Sequence, residues 1–142
     1  MKLLTLAALT LLSSSALAME VVIFDRKFSP PGSCTLVAPH EGYDLKAYAF
    51  CVNSELHIDI YMDNMCNYQQ FFDKVNLEDE EITEDITIEK TRFISFSLRN
   101  PISYDPVFAK VIRDRQNCVI ATSASNEILD DALRELWHRE AD

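Results

Sequence analysis

Alternating apolar and polar residues predict the clearest strand pair of the chain. From 56 to 62 every second residue is apolar, and this period of two is typical of a strand with one buried face. The apolar run 45–52 precedes it, and the intervening Asn53-Ser54-Glu55 is a turn sequence, so the two runs predict a β-hairpin. The polar positions of the second arm form one row of side chains: His57, Asp59, Tyr61 and Asp63.

Shorter apolar runs predict further strands. Residues 21–24 and 34–37 stand on either side of a Pro-Pro-Gly turn, where regular structure stops. A third run, 92–98, is a strand whose Ile94, Phe96 and Leu98 are expected to face the core. Its outward-facing residues are expected to be Phe93, Ser95 and Ser97.

The segment 105–113 fits two interpretations. Asp105-Pro106 is a good helix start, and the apolar residues that follow it fit one helical face. The β-branched residues of the segment and the apolar run 118–122 favour a hairpin across 114–117 instead. Of the two, we expect the hairpin.

Two segments have helical spacing. The stronger spans 123–140, with Ser123 or Ser125 as the N-cap. Its apolar stripe consists of Ile128, Leu129, Ala132, Leu133, Leu136 and Trp137. The weaker is 65–75, after Asp63 or Asn64. Such short helices are unstable alone, so the C-terminal helix is expected to cover a sheet.

Together these elements predict a single small domain, 19–142, of the α+β class. It has a mainly antiparallel sheet of about four to six strands. One face of this sheet is packed by the C-terminal amphipathic helix and by the shorter middle helix. The chain shows no internal repeat and no linker.

The first 18 residues have the three parts of a signal peptide. Met1 and Lys2 give a positive start, an apolar run follows to residue 12, and Ala16-Leu17-Ala18 has the small-x-small pattern of a cleavage site. The apolar run is about half the length of roughly 20 residues that a membrane span needs. We therefore expect cleavage before Met19 and release outside the cell, or into the periplasm if the source is bacterial.

The four cysteines predict two disulfides, because they form an even set in an exported chain. No C-x-x-C pair favours zinc. Cys51 lies near the hairpin turn and Cys66 lies past its far end, roughly 15–20 Å away along a strand, beyond the limit of about 7 Å for bridging. We expect Cys34 to pair with Cys51 or Cys66, and Cys118 to take the other.

Charge excludes several partner classes. Without Lys2, 12 basic and 23 acidic residues give the exported chain a net charge of −11. Such a chain is repelled by nucleic-acid phosphates and by anionic lipids, so neither nucleic acid nor a membrane is an expected partner. A basic protein is the complementary expectation, although the charge also serves solubility. Gly-rich phosphate loops are absent because Gly32 and Gly42 are the two glycines, and no cofactor is expected.

The polar row of the second hairpin arm is the best chemical candidate. Alternate residues of a strand lie about 7 Å apart on one face, so the row and the nearby Glu55 are expected to converge. An imidazole beside a carboxylate can act as a general base. His-x-Asp is also part of a two-histidine iron pattern, for which His40 or His138 would supply the second ligand. The simpler interpretation is the solvated face of a half-buried strand.

A second candidate surface is acidic. Glu78, Asp79, Glu80, Glu81, Glu84 and Asp85 predict an acidic loop, and they lack the spacing of a calcium loop. The loop is either simply solvated or a docking patch for a basic partner. Four tyrosines either supply aromatic contacts beside it or are core or half-buried sheet residues: Tyr43, Tyr48, Tyr61 and Tyr68.

The sequence contains no catalytic signature such as G-x-S-x-G. An export signal, one compact domain and two disulfides give it a general character that resembles the small secreted proteins that fungi deploy during interaction with hosts. We therefore expect a non-enzymatic binding protein outside the cell, effector-like in host interaction and virulence, or inhibitory. Two alternatives stand beside it: a periplasmic inhibitor or immunity protein against a basic toxin or enzyme, and a small secreted hydrolase that uses the face of His57 and Asp59.

Overall fold

Antiparallel strands make up most of the computed structural model, which describes residues 21–32, 34–38, 45–51, 55–62 and 67–137. The predicted signal peptide, Asp63 and Cys66 lie outside these residues. In chain order the strands are β1 (Val21–Ile23), β2 (Arg26–Phe28), β3 (Cys34–Val37), β4 (Leu45–Cys51), β5 (Leu56–Met62), β6 (Glu78–Ile88), β7 (Thr91–Arg99), β8 (Pro106–Arg113) and β9 (Asn117–Ser123). Two helices, α1 (Tyr68–Lys74) and α2 (Asn126–Ala132), follow β5 and β9.

Seven strands form one sheet in the order β3-β4-β5-β9-β8-β7-β6, and β1 and β2 form a separate hairpin. Every strand pair is antiparallel. The hairpins predicted for β4–β5 and for β8–β9 are confirmed. The last strand, β9, lies between β5 and β8 and so joins the first half of the sheet to the second.

The predicted count of about four to six strands is too low. The segment that we expected to be an acidic loop is the strand β6, which pairs with β7 from Glu78 to Ile88. Its hydrogen bonds to β7 hold it in the sheet, although acidic residues disfavour strands on propensity alone. The two-residue turn Glu89-Lys90 closes this hairpin, with Glu89 at a positive φ of 56°. The short strand β2 was also missed.

Both faces of the main sheet are buried, whereas packing of one face was predicted. Successive residues of a strand point to opposite faces, and the apolar residues of the central strands divide accordingly. The first cluster, under α2 and the β1–β2 hairpin, includes Ile58, Ile60, Val119, Ala121 and Phe93. The second cluster, under α1, includes Ile94, Phe96, Val111, Ile120 and Phe72. Phe93 and Ser95, expected to face outward, are therefore buried as well.

Helix α1 begins later than predicted. Its N-cap is Asn67, whose side chain accepts a hydrogen bond from the Gln70 N–H at 3.0 Å, and not Asp63 or Asn64. It ends at Lys74 with Val75 as the C-cap, and Asn76 follows with a positive φ of 52°. The Leu77 N–H then bonds to the Phe72 carbonyl, as in a Schellman motif. These bonds fix a short helix that lays Phe72 on the sheet.

Helix α2 is shorter than predicted. Ser125 is its N-cap, as one of the two alternatives had it, but the regular helix ends at Ala132 and the chain continues as turns to residue 137. Leu133 and Leu136 are still buried in the first cluster after the helix has ended. The apolar stripe was thus correct as a list of core residues and wrong as the length of a helix.

One disulfide is described where two were predicted. Cys34 and Cys51 face each other across the β3–β4 pair and are bonded, as one of the predicted pairings had it. With a sequence separation of 17, such a bridge typically contributes about 2–4 kcal/mol. Cys66 lies outside the described residues, and no free cysteine is present within them. A bridge between Cys66 and Cys118 stays a prediction.

We predict that Leu129→Ala lowers the free energy of unfolding by about 2–5 kcal/mol, because Leu129 is fully buried between α2 and the sheet. The matched control is Glu127→Ala on the exposed side of the same helix, expected to change it by less than about 1 kcal/mol. Urea denaturation followed by circular dichroism measures both. Equal losses in the two variants would show that α2 does not pack as described.

Candidate functional site

Three side chains of the predicted polar row meet at one carboxylate on β5. His57 Nε2 lies 3.1 Å from Asp59 Oδ1. The Tyr61 hydroxyl donates to Asp59 Oδ2 at 3.3 Å. The period of β5 brings the three to the same face, as the sequence predicted, and Asp59 is the centre of the group. Asp63 lies outside the described residues.

Helix α1 covers part of this row, so the interpretation as a solvated strand face is wrong for Asp59. Only 7 % of Asp59 is exposed. The His57 ring stacks on Phe71 of α1, with ring centroids 6.1 Å apart, and Tyr61 packs against the second cluster. About half of the His57 side chain stays exposed, at 49 %. The imidazole is therefore the accessible member of a largely buried group.

Asp59 and burial both affect the pKa values of His57 and Tyr61. Its hydrogen bond to His57, more than its charge, raises the pKa of that imidazole above the ordinary value, and burial opposes the effect in part. Burial is the main cause of the raised pKa of Tyr61, and the Asp59 charge adds to it. Tyr61 thus stays a protonated donor, while His57 holds its proton more tightly than a free histidine does.

The group of His57, Asp59 and Tyr61 has the geometry to exchange a proton. A half-exposed imidazole held by a buried carboxylate is the acid–base half of many hydrolytic sites. Within the described ranges, no three His, Cys, Asp or Glu side chains converge as a metal site requires. His40 and His138, the other histidines of the iron pattern, lie outside those ranges.

The acidic segment lies far from His57. In the strand order, β9, β8 and β7 stand between β5 and β6, so at about 4.8 Å per strand the two surfaces are roughly 19 Å apart. The structure does not bring the two predicted contact surfaces together. Any partner that uses both would have to span the width of the sheet.

Strand β6 carries its acidic residues in an ordered and exposed arrangement. Six of its eleven residues are acidic, and it contains no lysine, arginine or proline. Glu78, Glu80 and Glu81 are exposed, and Asp79 stands between them in the strand. Asp85 forms a bidentate ion pair with Arg92 of β7, in which Nε and Nη2 lie 2.8 and 2.7 Å from the carboxylate oxygens. The hydrogen bonds from Arg92 lower the pKa of Asp85. The acidic end of β6 is therefore 78–81.

Two of the four candidate tyrosines pack against the core, which is one of the two alternatives that the sequence allowed. Tyr61 and Tyr68 pack against the second cluster. Tyr48 is half-buried on β4, at the other end of the sheet, and Tyr43 lies outside the described residues. Tyr104 was not among the predicted contacts, although it is 73 % exposed.

Tyr104 belongs to a β7–β8 loop (100–105) that presents two large apolar side chains to solvent. Ile102 is 83 % exposed beside it. The Asn100 side chain accepts hydrogen bonds from the Ile102 and Ser103 N–H groups, at 2.9 and 3.2 Å, and Tyr104 has a positive φ of 60°. Because Arg99 pairs with Glu78, this loop begins beside the acidic end of β6. The turn residues Asn100-Pro101 signal a loop, but no sequence pattern indicates exposure of its apolar residues.

A buried lysine is the second feature that sequence reasoning missed. Lys110 is 6 % exposed, forms an ion pair with Asp130 of α2, and lies 4.2 Å from the centre of the Trp137 ring. Trp137 in turn packs edge-on against Phe93 at 5.4 Å. The sequence signal was available, since Lys110 alternates with Phe108 and Ile112 on one strand face. These contacts tie α2 and the chain after it to the sheet.

An acidic groove of about 440 Å³ lies between α2 and the disulfide end of the sheet. Its sheet side includes the Cys34–Cys51 bridge and Leu56. Its charged lining consists of Glu55, Glu127, Asp130, Asp131 and Arg134. Two of these carboxylates are already held by cations, Asp130 by Lys110 and Asp131 by Arg134. The groove adds to the acidic surface and contains neither His57 nor any part of β6.

No protein-family model matches this sequence, and no curated protein is significantly similar to it. Within the part of the chain that the structure describes, no helix is long and apolar enough to cross a bilayer.

We predict that the His57–Asp59 contact stabilises the fold most at acidic pH. The folded-state pKa of His57 is raised, so its contribution is complete below the unfolded value of about 6.5 and is lost as pH rises through the folded value. His57→Gln should therefore lower the free energy of unfolding, and the loss should be larger at about pH 6 than at about pH 8. Urea denaturation measures it, with Glu55→Gln as the neighbouring exposed control. Parallel pH profiles for the unmodified protein and His57→Gln would contradict the prediction.

Proposed function

We propose that this protein is a small secreted, non-enzymatic binding protein that acts outside the cell through protein–protein contacts, either effector-like or inhibitory. Its partner presents a basic surface. A binding protein with a basic partner was also expected from the sequence, but its acidic residues lie in a strand and not in a loop. The observation that carries the proposal is the exposed position of Glu78, Glu80 and Glu81 in an ordered strand.

A fixed backbone makes the acidic residues a better binding surface. A flexible acidic loop loses conformational entropy when a partner fixes it, which weakens binding. In β6 the pairing of Glu78 and Glu81 with β7 has already fixed the backbone on both sides of Glu80. A preorganised row of like charges favours a cationic partner, accelerates its association and repels acidic proteins.

The β7–β8 loop supplies apolar contacts at the same end of the sheet. Protein interfaces combine a few large apolar or aromatic anchors with a polar rim. Ile102 and Tyr104 are exposed on a loop held by the Asn100 side chain, and the loop begins beside Glu78. This arrangement favours a specific protein partner over a diffuse cation atmosphere.

Two biological settings fit this surface equally well. In one, the protein is an effector-like product that meets a host protein during infection. In the other, it is a periplasmic inhibitor or immunity protein that neutralises a basic toxin or enzyme. Both require tight, salt-sensitive binding to one cationic protein, so the identity of the captured partner separates them.

A small secreted hydrolase is a second candidate function, and the 3.1 Å contact between His57 and Asp59 favours it. In such an enzyme His57 would move the proton and Asp59 would hold the imidazole in place. The contact supports the proton-transfer part of such a reaction and does not assign a nucleophile. Hydrolysis of ester, peptide or glycoside substrates by the unmodified protein, lost in a folded His57→Ala variant, would support this function over the binding proposal.

The proposed function predicts that binding depends on the charges of β6. Immobilised oxidised protein should capture one saturable basic protein from the relevant extracellular fluid at low salt, and high salt should weaken the complex. Glu80→Gln/Glu81→Gln should lower the affinity several-fold, mainly through slower association. The matched control, Glu127→Gln/Glu135→Gln, removes the same charge from exposed positions in and after α2.

Surface plasmon resonance with the captured protein gives the rates for each variant. Equal affinities for the two double variants would show that β6 is not the contact surface. Absence of any specific partner, for protein of confirmed fold and disulfides, would contradict the proposed function in that fluid.

A further inference from the structure

The outer side of β6 is a long hydrogen-bonding edge. Among the strands that the structure describes, β7 is its neighbour on one side and none lies on the other. Its eleven residues exceed the usual strand length of about 5–6. Alternate residues of an antiparallel strand direct N–H and C=O to opposite sides, so about half of them present these groups outward.

The opposite edge of the sheet is protected in ways that β6 is not. Strand β3 has four residues and a disulfide to β4. Short length and covalent closure leave little edge for another chain to pair with. Strand β6 lacks proline and lysine, the residues that commonly block edges, but it has two register shifts, before Glu81 and before Glu84. Its remaining protection is negative charge.

Negative charge selects among the strands that can pair with this edge. A second copy of the chain would bring its own six acidic residues to this edge, and negative charge on both strands destabilises such a strand pair. Opposite charges in the same positions stabilise it. The edge therefore disfavours pairing with a second β6 and favours pairing with a basic strand.

The two ends of β6 favour different side chains. The acidic end, 78–81, is followed by a more apolar end in which Ile82 and Ile88 are 50 % and 43 % exposed. An added strand would meet carboxylates along one half and aliphatic side chains along the other. Lysine or arginine suits the first half, and valine, isoleucine or threonine suits the second.

We propose that the outer edge of β6 receives an extended segment of the partner protein as an eighth strand of the main sheet. This segment is basic in one half and β-branched in the other. The proposal rests on the proposed function and specifies how the partner is held: backbone hydrogen bonds supply affinity, and the side chains supply selectivity.

The probe is a synthetic ten-residue peptide with alternating valine and threonine in its first half and lysine and arginine in its second. Two N-methylated versions carry equal numbers of methyl groups and identical charge. In one, alternate residues are methylated, which leaves one hydrogen-bonding edge intact. In the other, the methyl groups stand on adjacent residues, which blocks both edges. Affinities for the oxidised protein are measured by isothermal titration calorimetry at low salt.

Strand addition requires similar affinities for the unmodified and alternately methylated peptides, and binding at least about tenfold weaker for the peptide with both edges blocked, because several backbone hydrogen bonds are lost together. Glu80→Gln/Glu81→Gln should weaken the first two peptides, and Glu127→Gln/Glu135→Gln should not.

Three outcomes would overturn the strand proposal. Equal binding of all three peptides would leave an electrostatic contact without strand addition, and the proposed function would survive. Failure of the unmodified peptide to bind would also reject it, while capture of a basic protein through β6 would still support the proposed function. Salt-dependent dimerisation of the protein, detected by light scattering and altered by Glu80→Gln/Glu81→Gln, would show that a second copy occupies the edge.

Discussion

The pairing of β5 with β9 is the constraint on which the rest of the structure depends. It runs from Leu56 opposite Ser123 to Met62 opposite Asn117 and is the contact that joins β3–β5 to β6–β9 in one sheet. Both apolar clusters cross this line. Ile58 and Val119 share the first cluster, and Tyr61 packs beside Ile120 in the second. Without the pair, neither α1 nor α2 has a continuous surface to cover.

The same pairing explains why the predicted polar row is not a solvated surface. Because β5 lies inside the sheet, its second face adjoins the cluster under α1. Asp59 contacts His57 and Tyr61, and the His57 ring stacks on Phe71 of the helix. Alternation in the sequence shows that these residues share a face. It does not show what covers that face, since the covering helix follows in the chain and docks through tertiary contacts.

Local periodicity therefore predicted the interior strands and failed at the edge. Strands β5 and β9 have the apolar content that burial requires, and so do the hairpins that contain them. Strand β6 is exposed along most of its length, so its sequence contains charge where an interior strand would contain valine or isoleucine. Its strand structure depends on pairing with β7, which the local sequence of β6 does not predict. The end of α2 and the exposure of Ile102 and Tyr104 were missed for the same reason.

The two ends of the sheet then take different roles. Near β3 the chain is fixed by the Cys34–Cys51 bridge, and α2 borders an acidic groove there. Near β6 an ordered strand presents carboxylates and backbone groups beside an apolar loop. Charge, exposure and an open edge coincide only at this second end within the described residues, which is why the proposed contact is placed there and not at His57.

Backbone amide exchange along β6 in the free protein, measured by NMR, tests the central claim most directly. In a two-residue hairpin, Ile88 and Thr91 are a hydrogen-bonded pair, so Ile88 and Ile86 direct their N–H groups to β7, whereas Asp85 and Thr87 direct theirs outward. The account predicts slow exchange for the two isoleucines and fast exchange for Asp85 and Thr87. Uniformly fast exchange from 78 to 88 would mean an acidic loop after all, and uniformly slow exchange would mean that the outer edge is already occupied.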